Sequence, residues 1–198
     1  MIEPGEIRHT LGVAWRLFLD KPDAVRDFDT SVEGFWRSFQ AILLVAPIYF
    51  IVALGDRQAI LFDATPDDHF SDGAFWAAQV TTLLLDWVTL PVLLAAIAGW
   101  IGVRRQYPVF IVARNWATPI MVLPAALATI FDAVFGIGPD GAIFPMLLAL
   151  AFSLRFSYLI ASRALKVRMD VAIGIVVLDV LVSLSIVHIV GRVFGVPI

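Results

Sequence analysis

The chain has 198 residues, of which 60% are hydrophobic and only 16% charged, with a net charge of −3 and no cysteine. A soluble domain of this size is nearer half apolar and a quarter charged, so the excess calls for an apolar solvent; the acidic balance excludes the basic stripe of a nucleic-acid binder. The lack of cysteine removes disulfides, thiol nucleophiles, iron–sulfur clusters and cysteine-bound zinc together.

The opening residues MIEPGEIRHTLG are acidic and polar. No cleavable leader or lipidation signal is expected in them, and the first apolar span is expected to serve as its own insertion signal. Ile7, Leu11, Trp15 and Phe18 then recur at helical spacing, flanked by Arg8 and Arg16. That pattern predicts an amphipathic helix in the cytoplasmic headgroup region. Asp20-Lys21-Pro22 ends it, because proline cannot continue a helix. A second amphipathic stretch runs through Val25, Phe28 and Val32, and Thr30-Ser31-Val32-Glu33 reads as a capping box opening the first membrane helix. Leu11, Trp15 and Phe18 are therefore candidates for contact with the membrane surface or a partner, against the plainer expectation that this segment packs under the bundle.

Five apolar runs follow, near 35–54, 76–102, 109–135, 142–162 and 171–193. Each is long enough for a hydrocarbon core, which takes roughly 20 helical residues. None alternates with the period of two that a membrane barrel needs. The fold class expected is all-α: a polytopic membrane helix bundle, with a cytoplasmic amphipathic segment at 1–34 and a five-span domain at 35–198.

Loop charges orient the spans. Arg8, Arg16, Lys21, Arg26 and Arg37 precede the first; Arg104 and Arg105 follow the second; Arg163, Lys166 and Arg168 follow the fourth. The intervening GDRQAILFDATPDDHFSDG has one arginine against Asp56, Asp63, Asp67, Asp68 and Asp72, and GIGPDGA has no basic residue. Basic loops stay in the cytoplasm, so an inner-membrane protein with a cytoplasmic N-terminus and an external C-terminus is expected.

Asp86 stands near the middle of the second span, ten residues after Trp76, with Thr82 and Thr89 on its face. Pro91 frees the carbonyl of Trp87, and His188 in the last span is a candidate partner; a structural Asp86 hydrogen-bonded within the bundle is preferred here to a proton- or solute-handling site. In the third run, Arg114-Asn115-Trp116 is placed at the cytoplasmic interface, and Pro119 and Pro124 predict a kink or break. Gly136-Ile-Gly138-Pro-Asp-Gly141 matches a dinucleotide pattern by letters only. A membrane helix precedes it, Pro139 has no amide proton and Asp140 repels anions, so a tight external turn is expected.

Arg155 is a mid-membrane charge in the fourth span, which usually needs a partner, a wet cavity or a route to the interface. It lies eight residues before Arg163, and Asp179 lies eight residues after Val171, so both sit about 12 Å into their spans. An Arg155–Asp179 ion pair or shared wet cavity is the preferred expectation, with snorkelling of Arg155 as the competitor. Asp179 and His188 are nine residues apart, on opposite helix faces at about 100° per residue, so they form no relay within one helix. Candidate binding residues are thus Asp86, Arg155, Asp179 and His188. Asp67, Asp68, His69 and Asp72 lack the spacing of a calcium loop and are read as a solvated acidic face. No catalytic set, metal site or cofactor is expected.

The plan of a cytoplasmic N-terminal segment, five close spans and a short external C-terminus, with GFWRSFQAILLVAPIYF (Gly34 to Phe50) and VARNWATP (Val112 to Pro119), resembles the bacterial relatives of the YIP (Ypt-interacting protein) family. The D-L-Y-G-P-like signature of eukaryotic members is absent, and no functional residue is carried over. The resemblance implies a non-enzymatic membrane organiser. The leading expectation is accordingly a scaffold or accessory subunit that binds other membrane proteins or organises lipid, with self-association left open. The alternative is a small-solute or proton-coupled permease component using the intramembrane charges. A lipid-modifying enzyme ranks third, for want of a nucleophile or metal set.

Overall fold

A computed structural model describes residues 4–63 and 70–196. It is built of α-helices, with no strand among the described residues: α1 (Pro4–Phe18), α2 (Val32–Ser38), α3 (Ile42–Asp63), α4 (Asp72–Ile97), α5 (Tyr107–Phe135), α6 (Gly138–Leu165) and α7 (Met169–Phe194). Short 3₁₀ turns at Pro22–Asp27 and Phe39–Ala41 link the first three. The five long apolar segments, the first running from α2 through α3, are each able to cross a membrane. Their outward faces carry exposed Leu84, Val88, Phe144, Val177 and Leu184, a surface that only lipid covers cheaply. The chain is an integral, multi-pass helix bundle.

The first span differs most from expectation. A seven-residue helix and a 3₁₀ turn come first, and the long helix begins at Ile42 and runs to Asp63. Asp56 and Arg57 do not end it. Arg57 Nε donates to Asp72 Oδ1 at 2.6 Å, so charges read as loop residues tie the end of α3 to the start of α4. Nor does the cap fall at Thr30: Ser31 Oγ accepts the Gly34 N–H at 3.0 Å, and Asp29 Oδ1 accepts the Ser31 N–H at 3.0 Å. Hydrogen bonds from Ser31, with Arg37 close by, hold the Asp29 carboxyl below the usual carboxylate range. The turn between α5 and α6 is as tight as expected. Gly136, at φ 61, closes α5 in the left-handed conformation that suits glycine, and the Gly138 N–H donates to Asp132 Oδ1 at 2.8 Å.

The spans form a ring in the order α3, α5, α6, α7, α4, closed by a looser contact of α4 back on α3. The α3–α5 seam is tight: a Cβ on Gly55 would come within 2.8 Å of Thr129 Cγ2. At the other end the N-terminal segment does not lie apart on a surface. Val13, Ala14, Leu17, Ala24, Val25 and Phe28 are buried in the same core as Leu90, Phe110, Phe156 and Ile160. The boundary at 34/35 is therefore no break in packing, and Val32, expected on the apolar stripe, is 79% exposed. Arg114-Asn115-Trp116, placed at the interface by sequence, is inside the protein: Asn115 is fully buried and Trp116 is 3% exposed. The N-terminal segment covers that end of α5, so its first turns face protein.

Asn115 Nδ2 donates to Ser38 Oγ at 3.0 Å, and Ser38 Oγ donates to the Phe35 carbonyl at 2.6 Å, both side chains being buried. Ser38→Ala leaves the Asn115 amide without this acceptor, an expected loss of about 1–3 kcal/mol in detergent-mediated unfolding. The double variant Ser38→Ala/Asn115→Leu, with both polar partners gone, is expected to recover part of that loss.

Candidate functional site

Inside the ring lies a cavity of about 470 Å³, to which every span contributes. Tyr49 enters from α3, Asp86 from α4, Arg114 from α5, Ser153 from α6, and Asp179 and Ser183 from α7. Arg114 Nη2 donates to Asp179 Oδ1 at 3.3 Å, with the side chains 11% and 23% exposed. Ser183 Oγ donates to Asp86 Oδ1. Tyr49 donates its hydroxyl proton to Gln79 Oε1 at 2.6 Å. Thr82 Oγ1, Trp87 Nε1 and Arg114 Nη1, all on lining residues, are buried without a hydrogen-bond partner among the described residues. Buried polar atoms are nearly always satisfied in folded proteins, so these mark capacity for an incoming ligand or water.

The helices explain why these groups converge. α5 starts at Tyr107-Pro108, with proline in its first turn, a favoured position because the missing N–H is an orphan there anyway. Arg114 is then about 10 Å along the helix, and Asp179 about 15 Å along α7 from the same end. Thr118 Oγ1 donates to the Arg114 carbonyl at 2.8 Å beside Pro119, and Ser153 Oγ donates to the Met121 carbonyl at 3.0 Å beside Pro124. Pro119 and Pro124 take the ladder N–H from the carbonyls of Asn115 and Ile120, so these hydroxyls bond carbonyls next to the freed ones rather than the freed ones themselves.

The cavity is open unevenly. Towards the α1 end, only about 10 Å³ remains between the Arg114–Asp179 pair and the apolar Leu90, Phe110 and Ile160. Towards the other end it shares Met146 and Leu150 as a common wall with a wider cavity of about 720 Å³, which is lined by Asp56 and Asp132.

Two of the candidate residues, Asp86 and Asp179, come together here. Arg155 does not, and the expected Arg155–Asp179 pair is replaced by Arg114–Asp179. Arg155 turns away from the ring onto α1, donating from Nη1 to the Phe18 carbonyl at 2.9 Å with its guanidinium 4.4 Å from the centre of the Phe18 ring. It caps the negative end of the α1 dipole. His188 is exposed and does not line the cavity; the expected partnership with Asp86 is taken by Ser183. Of the membrane-surface candidates, Leu11 and Phe18 pack against the core and Trp15 remains 45% exposed. Asp72 is engaged by Arg57, whereas Asp67, Asp68 and His69 lie outside the described residues. Among the described residues there is no cluster of metal-ligating side chains. No family model, curated protein or solved structure matches the chain.

Proposed function

We propose that the chain is a small permease of the cell inner membrane, or the solute-binding subunit of one, with its N-terminus cytoplasmic and its C-terminus outside. Its ligand is a small cationic solute. The observation that carries this reading is the central cavity: two carboxylates and one guanidinium converge in the middle of the ring, on a volume suited to a small molecule. Asp179 is matched by Arg114, while the partner of Asp86 is only a serine hydroxyl. The site is therefore short of one positive charge, which a cationic ligand supplies. The acidic Asp56 and Asp132 in the adjoining cavity favour the same sign along the approach. In this reading the Arg114–Asp179 pair and the apolar residues beyond it form the closed gate, on the cytoplasmic side. The basic loops that gather at the α1 end support that orientation.

The organiser reading, which comes with the YIP-like resemblance, finds less support. Its contact stripe is largely occupied by internal packing, with Leu11 and Phe18 turned to the core.

The test is tracer uptake into proteoliposomes, with guanidinium, choline and lysine as probes. Uptake of at least one probe above protein-free vesicles is expected. In Asp86→Asn that uptake should fall by about tenfold or more, the scale of losing a charge-assisted contact, with the unfolding transition unchanged. No uptake of any probe, or equal uptake by Asp86→Asn, sinks the proposal.

A further inference from the structure

The end of the bundle that carries α1 holds another cavity, of about 660 Å³, distinct from the central one. Three stretches far apart in sequence build it: the 3₁₀ turn after α1, the link from α4 into α5, and the last turn of α6. Arg26, Arg105, Arg163 and Lys166 line it against one acid, Asp23. Arg163 is held by Asp20 and Arg26 by Asp23. Arg105 and Lys166 have no acidic partner among the described residues. Val25, Phe28 and Ala164, all buried, give the cleft an apolar floor beneath this cationic rim. Lys166 closes α6 in the left-handed conformation, at φ 54, where glycine is usual.

We propose that this cleft binds a phosphate group, presented by an anionic phospholipid or by a free phosphate compound. Guanidinium and ammonium groups converging on a concave site match phosphate in charge and in donor geometry. Basic pockets between membrane helices at the cytoplasmic surface are where anionic headgroups lodge, and the apolar floor suits the start of an acyl chain. Basic loops alone follow from topology, but topology does not require them to meet in one cavity. Arg104 supplies the internal contrast, because it is equally basic, adjacent in sequence and absent from the lining.

Native mass spectrometry of the full-length protein in detergent tests this, with phosphatidylglycerol, phosphatidylcholine and inorganic phosphate as probes. Phosphatidylglycerol is expected to bind with a preference of roughly tenfold or more over phosphatidylcholine. That preference should vanish in Arg105→Gln/Lys166→Gln and persist in Arg104→Gln. Lys166→Gly removes the charge while easing the left-handed backbone, so its expected weakening cannot be put down to misfolding. Retention of phosphatidylglycerol in millimolar phosphate assigns the site to lipid. Saturable phosphate binding without lipid preference, lost in the same double variant, assigns it to a free phosphate compound. Equal binding of both lipids with no phosphate binding, or equal weakening in Arg104→Gln, overturns the proposal. Solute uptake through the central cavity is read separately, so either result stands whether or not the chain is a permease.

Discussion

Arg114→Ala is expected to lower stability by about 3–5 kcal/mol, because it removes one partner of a buried ion pair and leaves the other behind. Asp179 would then share the cavity with Asp86 and with no cation between them. Arg114→Leu/Asp179→Leu, which removes both charges, should recover most of the loss, since replacing a whole buried pair with apolar groups is often neutral or stabilising. The measurement is a double-mutant cycle in detergent-mediated unfolding. A coupling energy above about 1 kcal/mol is expected for Arg114 with Asp179. For Arg155 with Asp179 the coupling should be near zero, because Arg155 contacts α1. The reverse pattern would restore the pairing read from sequence and dismiss the one described above.

That reversal shows what depth along a helix can and cannot decide. Arg155 and Asp179 each lie ten residues from the linked ends of α6 and α7, but distance along a helix says nothing about rotation around its axis. Ser153 faces the cavity, and Arg155, two residues on, is turned by about 200° and therefore looks outward. The sequence sets Arg114 at the interface rather than in the bundle for a different reason. Its neighbours Asn115 and Trp116 are polar or amphipathic, a composition that water, headgroups or a buried interior accept alike. Tyr107-Pro108 holds the missing signal, since a helix starting there carries Arg114 two turns inward. The five spans were legible because an apolar run of this length has few other uses. The end of α3 was not, because one ion pair, Arg57 with Asp72, lets a helix continue through charged residues. Asp86 and Asp179 were legible as candidates, since charges so far inside a membrane span are rare without a reason. An amphipathic stripe, by contrast, reads the same whether lipid or protein covers it. The sequence of α1 therefore announces an apolar face without naming what lies against it.

What lies against that face has a measurable consequence. Phe156, fully buried, has its ring 5.2 Å from that of Phe18, which is itself 4.4 Å from Phe152. Leu17 is fully buried in the same core, and Arg163 clasps Asp20 with two hydrogen bonds of 2.9 and 3.1 Å. Phe156→Ala is expected to cost about 3 kcal/mol, the lower end for a buried phenylalanine. The lower end applies because residue 156 lies in a span whose unfolded reference is solvated by lipid. The transfer term then shrinks, and the lost packing remains. Arg155→Gln should cost less, about 1–2 kcal/mol, because it gives up a hydrogen bond and a cation–π contact while leaving the aromatic cluster in place. Tryptic cleavage at Arg16, which needs α1 to unfold locally, reads both effects: faster in Arg155→Gln than in the unaltered protein, and fastest in Phe156→Ala. A helix merely resting in the headgroup region would answer differently. Phe156→Ala would leave the cleavage rate unchanged, and only substitutions on the stripe itself, such as Trp15→Ser, would release α1.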